Sequence, residues 1–316
     1  MYISLCFNPS IDNAIYLDEI LTLKTNRVRK NILSAGGKGI NIARAFKLFG
    51  DECKVFGFSG GRLGDLLEDY LDGEGIDYNF VRTEAETRMN LKLIEEHREN
   101  RLTEINAPGG PIEATEVTAL EEKLEEILEK LPENENNYLF LSGSFPQGVE
   151  NSVYNSIISS TKNKNVRCVV DCSRTALELA IPARPYLIKP NKAELEILAK
   201  REFSTDGELK EYLIKLFDNF GTRILYTRGA KGAIYVGPEG VYSVSALTVN
   251  GKNPVGAGDM AQAAFIHMYE KRGDLSESLR FAMAASAATA ETEGSDMPSL
   301  SRVEELFGIA QAPIAE

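Results

Sequence analysis

Between Asn137 and Gly237 the chain alternates short apolar runs with amphipathic ones, and few folds accommodate that rhythm. The runs "YLFLS", "RCVVD", "YLI", "RILYT" and "AIYVG" have no regular polar face. A strand without one must be covered on both sides, which is the condition of a parallel sheet between two helical layers. The segments between them, near residues 151–162, 175–181, 192–200 and 206–220, read as helices. "YISLCF" at the start and "CKVFGFSG" at 53–60 have the same buried-strand character. Helices are also expected at 36–49, 61–75 and 114–131. In the last, Val117, Leu120, Leu124, Ile127 and Leu131 line one face and Glu and Lys fill the other, a solvated face rather than a binding feature. The expectation is an α/β fold with a mainly parallel central sheet and helices on both faces. No linker or internal repeat divides the chain, so residues 1–316 are expected to form a single domain.

Two stretches depart from the rhythm. "NAIYLDEI" with "RVRKNILSA", and "RMNLKLIEE" with "RLTEINA", alternate polar and apolar residues, as half-buried strands do. The second pair reads as a hairpin turning at His97-Arg98-Glu99-Asn100. Strands with one polar face do not belong in a doubly covered sheet. A small antiparallel sheet is therefore expected from about residues 12–35 and 88–107, projecting from the main body as a lid. Such a lid can close over a ligand and exclude water. Its half-exposed strands could also pair between subunits, giving a homodimer.

The most telling short stretch is "VGAGDMAQAAF". An acid in a first helical turn is favourable by itself. Two glycines at a helix entry cost conformational entropy and imply a need. Small residues there let backbone N–H groups approach an anion, so Gly256, Ala257 and Gly258 mark an anion site with Asp259 beside it. That site must work against the overall field, since the net charge is −12 and no basic tract compensates. The same balance excludes nucleic acid and anionic membrane as partners. The 4 cysteines lack metal-ligand spacing and read as buried free thiols. No signal-type or membrane-spanning apolar run occurs, so a cytoplasmic protein is expected. The 2 histidines, His97 and His267, have no companion at suggestive spacing, which argues against histidine catalysis.

Neither a P-loop nor a dinucleotide glycine motif is present. Instead, polar residues and glycines recur at strand ends, where open α/β sheets bind ligands. They are Asp12; Gly36-Gly37-Lys38-Gly39 with Asn41; Ser142-Gly143-Ser144; Lys189-Pro190-Asn191 with Glu194; and Thr227-Arg228-Gly229.

In order and spacing, "GGKGINIARA" (36–45), "SGSFPQG" (142–148), "KPNKAEL" (189–195), "TRGAKG" (227–232) and "NPVGAGD" (253–259) resemble the landmarks of PfkB-type sugar kinases of the ribokinase superfamily. The resemblance spans nearly the whole chain. "FNPSID", "NRV" and "ETRMNLKL" narrow it to the branch acting on sugar phosphates, which includes tagatose-6-phosphate kinase and 1-phosphofructokinase; "NPVGAGD" is closest to the former. It implies a ribokinase-like fold and ATP- and Mg²⁺-dependent phosphorylation of a ketohexose monophosphate, tagatose-6-phosphate or fructose-1-phosphate. Fructose-6-phosphate, a neutral sugar or a nucleoside is the alternative acceptor, and a non-catalytic sugar-phosphate sensor is the rival class. By the same resemblance Asp259 is the general base and Gly256, Ala257 and Gly258 the anion hole. Asp12, Gly36, Gly37 and Asn41 would bind the sugar, and Arg27 (or Arg29), Lys38, Arg88 and Ser142 its phosphate. Lys189, Asn191, Thr227, Gly229 and Gly232 would line the nucleotide, with Asn191 and Glu194 ordering Mg²⁺. The small residues at 282–290 would leave room for adenine. Met260 and Arg228 depart from the family pattern, which bears on substrate preference.

Overall fold

The protein is described here from a computed structural model covering residues 1–98, 101–172, 175–251, 255–293 and 296–316. The first half contains β1 (Tyr2–Cys6), β2 (Ser10–Leu17), β3 (Lys30–Gly36), α1 (Lys38–Leu48), β4 (Cys53–Gly60), α2 (Gly61–Glu74) and β5 (Asp77–Thr83). There follow β6 (Arg88–Glu95), β7 (Arg101–Ile105), α3 (Ala114–Glu129), β8 (Asn137–Ser142), α4 (Val153–Ser160), β9 (Val166–Asp171) and α5 (Thr175–Ala180). The remainder is β10 (Leu187–Ile188), α6 (Lys192–Ala199), α7 (Asp206–Phe220), β11 (Arg223–Thr227), β12 (Ala233–Gly237), β13 (Gly240–Val244), α8 (Ala257–Arg272), α9 (Leu275–Ala290), α10 (Leu300–Ile309) and β14 (Ile314–Ala315).

The central sheet has the order β14-β13-β12-β11-β10-β9-β8-β1-β4-β5. From β5 to β11 every pairing is parallel, and the β11–β14 edge is antiparallel. Alternation along each strand sorts side chains into two apolar layers. On β8, Tyr138 and Phe140 face the layer of α1, α2, α8, α9 and α10, and Leu139 and Leu141 face that of α3 to α7. All four are buried, which is why the strand reads as one unbroken apolar run. Of the face expected on α3, Leu120 and Leu124 are buried and Val117 and Ile127 only partly so.

The second sheet, β3-β2-β6-β7, rises from the carboxyl edge of the first. Its outer pairs β2–β3 and β6–β7 are antiparallel, as expected, but the β2–β6 pair at its centre is parallel. Connectivity explains the difference. β2 continues from β1 and β6 from β5, and those two strands run the same way in the main sheet. The tip of the β6–β7 hairpin, Glu99 and Asn100, lies outside the described residues. Ala14, Tyr16 and Ile94 form a small apolar cluster on this sheet, with Ile32 and Leu102 against it. Among the described residues no helix is long and apolar enough to cross a membrane. All four cysteines are free and buried.

Candidate active site

The carboxyl ends of β1, β8, β9, β10 and β11 meet the N-termini of α1, α6 and α8. Gly36 ends β3 directly over the carboxylate of Asp12, where a Cβ would stand 2.4 Å from Asp12 Cγ. No larger residue fits. Asp12 is itself held on three sides: Ser10 Oγ donates to Oδ1 at 2.7 Å, Asn90 Nδ2 donates to Oδ1 at 3.0 Å, and Lys92 Nζ pairs with Oδ2 at 2.7 Å. A carboxylate offers about four acceptor positions, so little of Asp12 remains for a ligand.

Gly256 caps α8 with φ 77°, a left-handed conformation that glycine adopts without penalty. It opens a helix whose first turn holds Asp259, 6% exposed. Asn41 Nδ2 donates to Asp259 Oδ2 at 2.8 Å. Burial pushes the Asp259 carboxyl above the ordinary aspartate value; Lys38 opposes that, Asp171 adds to it, and Asn41 and Lys189 oppose it. The result is a buried acid that is basic for its type.

Asp171, at the end of β9, is the electrostatic centre of the site. Its carboxylate receives Lys38 Nζ at 2.9 Å on one oxygen and Lys189 Nζ at 3.0 Å on the other. Burial alone would raise its pKa, but Lys189 and Lys38 outweigh burial and hold it below the usual range. In return, Asp171 and Asp259 overcome the burial of Lys38 and keep its ammonium protonated. The two cations therefore stand ready for an anion while neutralised by the protein.

Two cavities flank this cluster. The smaller, about 230 Å³, is lined by Lys38, Arg88, Ser142, Glu194 and the turn at Gly37. Arg88 is anchored by hydrogen bonds to the carbonyls of Asn8 and Ala107. The Ser142 hydroxyl is buried and has no protein partner. The larger, about 450 Å³, is bounded by Thr227, Gly229, Gly232, Ala257, Gly258 and the small residues Ser286, Ala287 and Ala290 of α9. Lys38 borders the first cavity and Gly258 the second; Asp259 follows Gly258 in the chain and its carboxyl feels the charge of Lys38.

The pfkB family carbohydrate kinase model matches residues 6–302. The chain belongs to that family. It is 34% identical over 291 residues to the 1-phosphofructokinase of Borreliella burgdorferi, covering 92% of each chain, and 29% identical over 293 residues to that of Bacillus subtilis, covering 93% of each. Its fold matches phosphofructokinase-2 from Escherichia coli in complex with substrates and products, with a TM-score of 0.90, 27% identity and 98% of both chains covered. This pfkB kinase therefore lies on the 1-phosphofructokinase and phosphofructokinase-2 branch of the family, with the ribokinase-like fold that the motifs imply.

Most of the residues singled out in the sequence of this pfkB kinase converge here. Arg27 does not: it lies on an exposed stretch between β2 and β3 and borders neither cavity. Arg29 pairs instead with Asp18 and Glu96. Asn253 and Pro254, on which the leaning toward tagatose-6-phosphate kinases rested, lie outside the described residues. Asn191 and Glu194 form a reciprocal capping box on α6, with Asn191 Oδ1 accepting from the Glu194 N–H at 3.0 Å and Glu194 Oε2 from the Asn191 N–H at 2.9 Å. Asp171, Lys92, Asn90 and Arg44 went unmarked in the sequence. Asp171 does carry a sequence signal, since it ends an apolar strand as Ser142 and Thr227 do. His267 is buried against Asp51, with 2.5 Å between Nδ1 and Oδ2, a pairing that spacing along the chain conceals.

Proposed function

We propose that the protein transfers the γ-phosphoryl group of ATP to a hydroxyl of a ketohexose monophosphate, fructose-1-phosphate or tagatose-6-phosphate, giving the bisphosphate. The observation carrying this reading is the cationic end of the smaller cavity. Lys38 and Arg88 border it beside the unpartnered Ser142 hydroxyl, a donor set suited to a phosphate the acceptor already bears. The relatives named 1-phosphofructokinase favour the first of the two sugars. Phosphofructokinase-2 from E. coli, solved with fructose-6-phosphate, is 26% identical and keeps that isomer as the second reading.

In this mechanism Asp259 accepts the proton of the attacking hydroxyl. The N–H groups of Gly256, Ala257 and Gly258 stabilise charge on the transferring group. Asp12, Gly36, Gly37 and Asn41 bind sugar hydroxyls, with Asp12 supplying one acceptor position. Lys189, Asn191, Thr227, Gly229 and Gly232 line the nucleotide phosphates, and adenine fills the larger cavity. Magnesium suits the remaining donors. Among the described residues no three metal-ligating side chains stand together, and Mg²⁺ prefers few carboxylates with several waters. Glu194, with Asn191 beside it, would hold the ion, which when bound neutralises phosphate charge. Closure of the second sheet as a lid would bring the 20–29 segment and Arg27 toward the phosphate.

The test is coupled ADP release with fructose-1-phosphate, tagatose-6-phosphate, fructose-6-phosphate, fructose and ribose. Turnover of a 1- or 6-phosphate at least tenfold above the neutral sugars is expected; turnover of neutral sugars alone overturns the acceptor assignment. Ala287→Phe, filling the larger cavity, should raise KM for ATP about tenfold or more and leave that for the sugar phosphate unchanged. Because burial raises the Asp259 carboxyl, kcat should fall on acidification with a midpoint above 3.8, the ordinary aspartate value. A flat profile down to pH 4 would contradict that assignment. Leu21, Leu23, Val28 and Ile105 are exposed on the second sheet and its connection, and pairing through them would give a homodimer. Light scattering showing only monomer at micromolar concentration would remove the dimer.

A further inference from the structure

Arg44 lies on α1, one turn beyond Asn41, and is 6% exposed. Its guanidinium makes a two-pronged contact with Glu74 at the end of α2, Nε to Oε2 and Nη2 to Oε1, each 2.6 Å. The remaining nitrogen, Nη1, donates to the Ala35 carbonyl at 2.8 Å and to Asn41 Oδ1 at 3.4 Å. We propose that Arg44, fixed by Glu74, is a positioning residue that sets which end of the Asn41 amide faces Asp259.

The chemistry leaves one arrangement. Arginine only donates hydrogen bonds, so whatever part of Asn41 faces Arg44 must be its carbonyl oxygen. The amide nitrogen is thereby turned toward Asp259, to which it donates at 2.8 Å. Among the described residues Arg44 is the donor found at Asn41 Oδ1, so without it the amide is oriented from the Asp259 side alone. In the turned one, an oxygen would face a carboxylate oxygen, which repels the ionised acid and rotates it from its place. Arg44 touches no reacting group. It acts through Asn41, and through Ala35 it also ties α1 to the strand leading into Gly36 and Gly37. The bidentate Glu74 contact keeps the fork from rotating, a constraint a lysine could not reproduce.

This inference rests on Asp259 acting as the base, and the groups facing that carboxylate are Lys38 and Asn41 from α1, Asp171 from β9, Lys189 after β10 and the Cys6 thiol of β1. The experiment is a kinetic cycle of Arg44→Met, Asn41→Ala and the double variant, with kcat followed against pH. Arg44→Met should lower kcat/KM about ten- to a hundredfold, the scale of a misplaced catalytic group, with KM for ATP unchanged. Its acid limb should move up by about one pH unit, the scale of a hydrogen bond lost by a charged acceptor. In the Asn41→Ala background the same substitution should add little. A merely structural arginine would give additive losses and an unmoved acid limb, and that result overturns the proposal. Should Arg44→Met fail to fold, Glu74→Gln decides: an upward shift of the limb supports the relay, and a wild-type profile refutes it. If Asp259→Asn keeps full turnover, the base assignment fails instead, and the two failures are distinct.

Discussion

Asp259→Asn is expected to lower kcat by about 10²–10⁴-fold, the usual worth of general-base assistance. The substitution keeps the shape of the side chain, and its remaining carbonyl oxygen can still accept from Asn41 Nδ2. Binding of ATP and of the sugar phosphate, measured by calorimetry, should therefore stay within a few-fold of wild type. A second readout is independent of turnover. Burial raises the folded-state pKa of this carboxyl above its unfolded value, so its ionised form costs stability at neutral pH. That cost disappears as pH falls through the folded pKa and the group protonates. Asp259→Asn should accordingly melt above the wild type at pH 7, with the difference shrinking on acidification. A variant with unchanged kcat removes the base assignment. A wild type without turnover on any sugar phosphate, but with binding, points instead to a sensor.

The main sheet was legible because its strands are buried on both faces, and a side chain covered on both sides has little choice but to be apolar. β8 carries that signature from Tyr138 to Leu141 and β9 from Cys168 to Val170. β5 is not legible in the sequence because "DYNFVRT" is only half covered, with Asp77 and Arg82 exposed, and it sits at the sheet edge. β14, two exposed residues at the opposite edge, and β13 beside it, of which only Val244 is buried, carry as little apolar signal. Two-residue alternation identified the strands of the second sheet but not their mutual direction. Direction there follows from which strands of the first sheet they extend, and periodicity carries no information about that.

The site divides in the same way. Glycines and polar residues at strand ends mark the chain as approaching a ligand, because backbone close to an anion tolerates little else. Lys38, Asn41, Ser142, Lys189 and the turn before α8 all stand at such strand ends or helix starts. That rule could not reveal Lys92 on Asp12, since a lysine in an alternating strand reads as a solvent-facing residue. Here its side chain is 4% exposed and paired with a buried carboxylate. Nor could it reveal Arg44, whose place in an amphipathic helix looks like ordinary surface. Such pairs form between residues distant in the chain, and only the fold brings them together.

Asp171 supports the strongest prediction about how charge is stored in the site. Asp171→Asn leaves two ammonium groups, Lys38 and Lys189, without their shared counter-ion. Removing one partner of a buried ion pair costs about 3–5 kcal/mol, partly relieved here because Lys38 is 38% exposed. The ligand-free variant should melt on the order of 5–10 °C below wild type. Since Lys189 and Lys38 hold the folded-state pKa of Asp171 below its unfolded value, that stability is present at neutral pH. It is lost only as pH falls below the ordinary aspartate range toward the folded pKa. The gap between wild type and variant should therefore stay constant from pH 8 to 5 and narrow below. Added phosphate or ATP can supply the missing anion, so either should stabilise the variant more than the wild type. Kinetics give a sign that separates this residue from Arg44. Asp171 helps raise the Asp259 carboxyl, so its neutralisation should move the acid limb of kcat down, where Arg44→Met moves it up. Equal melting temperatures, or a limb displaced upward in Asp171→Asn, would mean that the two lysines are held by something other than this carboxylate.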